Sequence, residues 1–170
     1  MTTIEDLPEI ALSVRQPWAH AIIYFGKDVE NRPWQAVNHG LRMRGRICIH
    51  AAKGLTKGEY WEAREFIDSL GWTCPDASAL RRGGIIGTVD VVDVVSKHDS
   101  RWFFGPRGLL LSNPKPCPFI PCVGALGYFK WAPADPAIIP SPARWMLPAP
   151  PKLARTIMAT QPLPDLFEEG

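Results

Sequence analysis

Three short stretches gather the side chains best suited to chemistry. Arg15 and Gln16 stand immediately before Pro17-Trp18. Proline is favoured at the first helical position, so this pair falls at a helix N-terminus whose free amides favour an anion or a carbonyl oxygen. Lys27, Glu30 and Arg32 fall within six residues, a mixed-charge group that forms either a solvated salt-bridged face or the lining of a polar site. His50 closes the apolar run Arg46-Ile47-Cys48-Ile49-His50, with Lys53 shortly after it. Those two are placed for acid-base or phosphate chemistry, the alternative being a strand-end histidine bonded to backbone.

For these groups to meet, the chain between them has to turn back on itself. Ala11-Leu12-Ser13-Val14 reads as a short strand, and Trp18, Ile22, Ile23 and Phe25 then recur near helical spacing. Gly26 suits the left-handed position that ends a helix, with Lys27 beside the negative end of its dipole. Val29 to Trp34 is too short and too proline-limited for a helix, so it is expected as an edge strand with Glu30, Arg32 and Trp34 on one side. Arg44 to His50 is a firmer strand. Thr56-Lys57-Gly58-Glu59 is a capping-box pattern that opens a helix to Leu70, with Gly71 as its stop and Ala63, Phe66, Ile67 and Leu70 on its inner face. Gly84 to Val95 reads as a long central strand, followed by strands at Gly108 to Ser112 and Val123 to Trp131 separated by proline turns. The order β-α-β-β-α-β-β-β suits a small α+β barrel better than a doubly wound parallel sheet.

With 170 residues, 46% hydrophobic and 21% charged, the chain has material for one globular domain and some extra length. Residues 1–8 are expected as a leader, 9–132 as the domain and 133–170 as an extension, because nine of the 18 prolines fall in that last segment; one helix is expected there at Pro151 to Thr160. The net charge of +2 neither demands nor excludes a nucleic-acid partner. No long apolar run and no basic, apolar leader is present, so a cytoplasmic location away from membranes is expected. Cys48, Cys74, Cys117 and Cys122 form no CxxC pair and have no histidine at zinc-ligand spacing, which indicates no metal site and points to structural or incidental thiols ahead of a disulfide or a catalytic nucleophile; no cofactor is expected. Trp102-Phe103-Phe104-Gly105-Pro106-Arg107-Gly108 is an aromatic loop that either closes over a ligand or packs as a barrel corner.

Leu12-Ser13-Val14-Arg15-Gln16-Pro17-Trp18-Ala19, then Gly26-Lys27 and Glu30-Asn31-Arg32, resembles the ASCH domain, a branch of the PUA-like superfamily. The resemblance continues in Ile49-His50-Ala51-Ala52-Lys53, in Gly84-Ile85-Ile86-Gly87-Thr88-Val89 and, more loosely, in Leu110-Leu111-Ser112-Asn113-Pro114, covering roughly residues 11–131. It implies a PUA-like pseudo-barrel of short strands with two main helices, and a cleft between the first helix and the barrel that binds RNA, DNA or a modified nucleoside. The residues agree with that implication. Arg15, Lys27, Arg32, Arg44, Arg46 and Lys53 can meet phosphates, Trp18, Trp34 or Trp102 can offer a face to a base, and Gln16 with Glu30 presents donors and acceptors to a base edge. For Trp18 the alternative is a plain core anchor.

Some small ASCH-related proteins resemble this chain and are amidohydrolases acting on 4-acetylcytidine; others are ribonucleases. Lys27 matches the amidohydrolase lysine, but Glu30 stands where those enzymes carry a threonine. A catalytic reading therefore makes Glu30 a general base on water, with Lys27 or Arg32 stabilising the oxyanion, or uses His50 in a metal-independent ribonuclease. Binding is the first reading and hydrolysis the alternative. The tail Asp165-Leu166-Phe167 is similar to short sliding-clamp peptides, with Leu166 and Phe167 as anchors in an adaptor reading; the alternative is a tail packed on its own domain.

Overall fold

The computed structural model describes residues 3–34 and 40–149. Its elements are β1 (Ile10–Val14), α1 (Trp18–Tyr24), β2 (Val29–Arg32), β3 (Gly45–Ala51), α2 (Lys57–Ser69), β4 (Gly84–Val95), β5 (Arg107–Pro121) and β6 (Tyr128–Lys130). The six strands form one sheet in the order β2-β5-β4-β3-β1-β6, curled into a half-barrel. The β1–β3 pair is parallel and the other four are antiparallel. The α+β pseudo-barrel and its element order are those expected from the sequence.

Local chemistry sets the elements that carry the site. Pro17 is the residue that caps α1 rather than its first helical residue, and its carbonyl accepts from the Ala21 amide at 3.0 Å. Gly26 adopts φ +65° after the helix, and the Lys27 amide reaches back to the Ala21 carbonyl at 3.2 Å. That turn directs the chain under α1 and into β2. On α2, Thr56 Oγ accepts from the Glu59 amide at 3.2 Å while Glu59 Oε2 accepts from the Thr56 amide at 2.9 Å, which is the expected reciprocal cap.

The main core lies between α1 and the sheet and joins Leu12, Val14, Ile22, Ile47, Ile49, Val89 and Leu109. A second core wedges α1 against α2 through Phe25, Tyr60, Ile67 and Trp102, and Met146 of the proline-rich segment completes it. Each fully buried aliphatic side chain contributes about 1.5–3 kcal/mol. The extension thus packs on the domain through Trp145 and Met146, and the Arg82 guanidinium contacts the Met146 sulfur at 3.6 Å. The expected helix at Pro151 to Thr160 and the Leu166 and Phe167 anchors lie outside the described residues.

Two strand expectations are corrected. β5 does not stop at Ser112 but runs through Pro114, Pro116 and Pro118 to Pro121 beside β4. Prolines at every second position lose their N–H groups along one edge of a strand, and β2 pairs β5 only as far as Leu110, so that edge has no ladder to break. Conversely, the apolar stretch from Val123 is not strand; β6 begins at Tyr128. Val123 and Leu126 point to solvent, 67% and 99% exposed. Val29 to Trp34 is an edge strand as expected, ending at Arg32.

Candidate functional site

Trp18, Lys27, Glu30, Asn31 and Phe104 line a cavity of about 240 Å³ between α1 and β2. Lys27 does not lie along the helix end as its sequence position suggested. Its side chain turns inward, Nζ donating to the Val29 carbonyl and, at 2.8 Å, to Glu30 Oε2. Two of its three N–H groups are thereby committed. Trp18 stands with its ring centroid 6.0 Å from that ammonium and packs edge-on to Trp102, so it is both a core anchor and a wall of the cavity. Phe104 is 64% exposed and Lys27 only 4%, which puts the aromatic ring at the opening and the ion pair at the bottom.

β2 alternation places Glu30 and Arg32 on one face, and Arg32 Nη2 lies 3.4 Å from Glu30 Oε1. The same nitrogen donates to the Ser13 carbonyl at 2.7 Å, and Arg32 stacks on Trp34 with its guanidinium carbon 5.2 Å from the ring centroid. Arg32 is therefore a brace between β2 and β1 and a support for Glu30. Its Nε is buried and meets no acceptor among the described residues. Asn31, on the other face, holds the aromatic loop: Nδ2 donates to the Trp102 carbonyl at 2.8 Å, and Oδ1 accepts from the Phe104 and Gly105 amides at 2.7 and 3.1 Å. One side chain thus fixes three backbone groups of the segment that carries Phe104.

Most of the chain, residues 12–135, matches the family model of the ASCH domain. The chain belongs to the ASCH domain family. This family is PUA-like in fold and associated with RNA binding or related functions. No curated protein matches the chain. No helix among the described residues of this ASCH domain is long and apolar enough to cross a membrane.

Other candidate residues of the ASCH domain lie elsewhere. Gln16 is buried with both ends of its amide in use, Nε2 donating to the Arg81 carbonyl at 2.7 Å and Oε1 accepting from the His20 amide at 3.0 Å. It completes the start of the seven-residue α1 and faces no ligand space of the Glu30 cavity. Arg15 reaches away to Glu59 at 2.6 Å, and this guanidinium, followed by the Thr56 amide, holds the Glu59 carboxyl below its usual range. Arg44 and Arg46 pair with Asp93 and Asp90 across β3 and β4. Trp102 is buried beneath Phe104's loop, edge-on to Trp18 and Phe66. Trp34 is occupied by Arg32 and Tyr128.

His50 and Lys53 line a separate cavity of about 440 Å³ at the C-terminal ends of β1 and β3. The β1–β3 register sets Ser13 opposite His50, and Ser13 Oγ lies 3.1 Å from Nδ1 while Nε2 lies 3.0 Å from the Cys122 carbonyl oxygen. Burial pushes the His50 imidazole below its ordinary value, against a smaller opposing effect from the Cys122 carbonyl. Sequence reading missed Ser13, Asn31 and Phe104 as individual contributors. The spacing Glu30-Asn31-Arg32 offered a signal for Asn31, since an asparagine between two charged strand residues faces the opposite side.

Proposed function

We propose that this ASCH domain binds a nucleic acid or a modified nucleotide by taking one base into the Trp18–Glu30–Phe104 cavity. The observation that carries the reading is the buried Glu30 carboxylate, bonded to Lys27 and braced by Arg32, facing a space bounded by two aromatic rings. A carboxylate only accepts hydrogen bonds, and Lys27 has one N–H left to give. Together they complement an amino group beside a ring nitrogen or carbonyl, the edge that cytosine and adenine present. Trp18 and Phe104 supply the faces against which an unstacked base settles. A pre-braced acceptor suits binding, because little rotamer freedom is lost when the ligand arrives.

The contact between Lys27 and Glu30 also supports a second reading, in which Glu30 activates water and Lys27 meets the developing negative charge on an acylated pyrimidine nucleoside. The commitment of Lys27 to the Val29 carbonyl and to Glu30 favours binding over this. The test is a titration of the full chain with cytidine, 4-acetylcytidine and short single-stranded RNA in metal-free buffer, with turnover followed in the same samples. The reading expects saturable binding without turnover, weakened in Glu30→Gln and Phe104→Ala. Turnover lost in both Lys27→Ala and Glu30→Gln would establish the hydrolase instead; binding indifferent to Glu30 and Phe104 would remove the cavity from either account.

A further inference from the structure

We infer that Ser13 and His50 form a nucleophile and general-base pair that hydrolyses small, largely apolar carboxylic esters in the 440 Å³ cavity, a site separate from the one around Glu30. A carbonyl oxygen can only accept, so the 3.0 Å contact with Cys122 puts the imidazole hydrogen on Nε2. Nδ1 then carries a free lone pair, and the Ser13 hydroxyl 3.1 Å away donates to it. A serine nucleophile needs an unprotonated ring nitrogen of its base within hydrogen-bond reach, and Nδ1 meets that need here. The Cys122 carbonyl takes the orienting place of a third group.

The ring is also held in position. A Cβ on Gly124 would come within 2.5 Å of His50 Cε1, so only glycine lets the loop close this tightly on the imidazole. Phe129 packs edge-on at 5.6 Å from the other direction. Depression of the imidazole pKa by burial keeps the base neutral near pH 7. Ser13, in contrast, is partly exposed and opens into the cavity.

The chemistry of the walls selects the substrate. Ala52, Val123, Ala125, Leu126 and Ile138 give the cavity an apolar lining, and Lys53 contributes a cation. Val123 and Leu126 expose apolar surface that none of the described residues covers. An acyl chain fits these walls, while the Lys53 ammonium provides the charge to meet a carbonyl oxygen as it becomes an oxyanion.

The step balances with water alone. Ser13 Oγ bonds to the acyl carbon as its proton passes to His50 Nδ1. The carbon–oxygen bond to the alcohol then breaks, and the leaving alkoxide takes that proton. Water next attacks the acyl-serine, giving one proton to Nδ1; the acyl–Oγ bond breaks, and Oγ recovers the proton, releasing the carboxylic acid.

Two readouts on the full-length chain test the pair: hydrolysis of p-nitrophenyl acetate and butyrate, and covalent labelling by an alkyl fluorophosphonate located by peptide mapping. The expected result is turnover of at least one ester, a single label on Ser13, and loss of both by about 100-fold or more in Ser13→Ala and His50→Gln. Labelling of unaltered protein is the readout that survives if a variant fails to fold. Absence of ester turnover, absence of a label on Ser13, or hydrolysis undiminished in a folded Ser13→Ala overturns the proposal. Because Glu30 takes no part, failure here leaves the base-binding reading standing, and the reverse also holds.

Discussion

Lys27 and Glu30 form an ion pair at 2.8 Å with side chains only 3% and 11% exposed, set three residues apart across the turn that Gly26 initiates. Two charges are rarely removed from water together unless geometry compensates them, and here the Val29 carbonyl and Arg32 share that role.

Lys27→Met should therefore destabilise the fold strongly, by roughly 3 kcal/mol, since it leaves the Glu30 carboxylate buried with Arg32 as its remaining cationic partner among the described residues. Glu30→Gln should cost less, because the amide keeps the shape and an acceptor oxygen for Lys27. Urea denaturation of the two variants gives the order; equal losses would mean that the pair is not held as a desolvated unit.

Asn31→Ala should release the loop that carries Phe104. Three hydrogen bonds to that loop disappear at once, each worth about 1 kcal/mol. Hydrogen exchange at the Phe104 and Gly105 amides should rise well above the rate in the unaltered protein while β3 and β4 stay protected. Unchanged protection at those amides would contradict the role given to Asn31.

Stability should decline on mild acidification. The folded His50 has a pKa below the ordinary 6.5, because burial disfavours the imidazolium more than the hydrogen bond to the Cys122 carbonyl favours it. The unfolded chain therefore takes up the proton first as pH falls. The stabilisation is complete above about pH 6.5 and is lost as pH falls from there toward the lower folded value. His20 is shifted in the same direction by burial. Urea midpoints between pH 7.5 and 5 should fall, and His50→Gln should flatten the slope; a midpoint independent of pH would argue that both rings protonate freely in the folded state.

The thiols should resist alkylation. Burial drives Cys48 up to about 12, with Cys117 adding to the shift, and Cys74 up to about 11, with Asp68 adding. The nucleophilic thiolate is then scarce near neutral pH. Iodoacetamide should modify Cys48 and Cys74 slowly in the folded protein and promptly in urea, as followed by mass spectrometry. Rapid native modification of either would place it nearer the surface than the fold allows.

What the sequence made legible was local. The Gly26 turn, the Thr56 capping box and the alternation of Glu30 with Arg32 depend on neighbours a few residues apart, and each appears where spacing put it. The partners of Gln16 and Arg15 lie 65 and 44 residues away in Arg81 and Glu59, so a reading along the chain assigned those two side chains to a ligand. His50 was separated from Lys27 for a similar reason: only the parallel β1–β3 register reveals that it faces Ser13. The prolines of β5 misled because proline usually ends a strand, and their period of two on an unpaired edge is a property of the sheet.

Binding as proposed places a base between Trp18 and Phe104, where Glu30 reads its edge. The most direct test is a nuclear magnetic resonance titration of the full chain with cytidine and short single-stranded RNA, following the Trp18 indole N–H and the Phe104 amide. Both signals should shift saturably, with affinity lowered about 10-fold or more in Glu30→Gln, as for a lost base-edge contact, and by a similar factor in Phe104→Ala for a lost stacking face. Shifts confined to other surfaces, or equal affinity in the unaltered protein and both variants, would contradict this placement of the base.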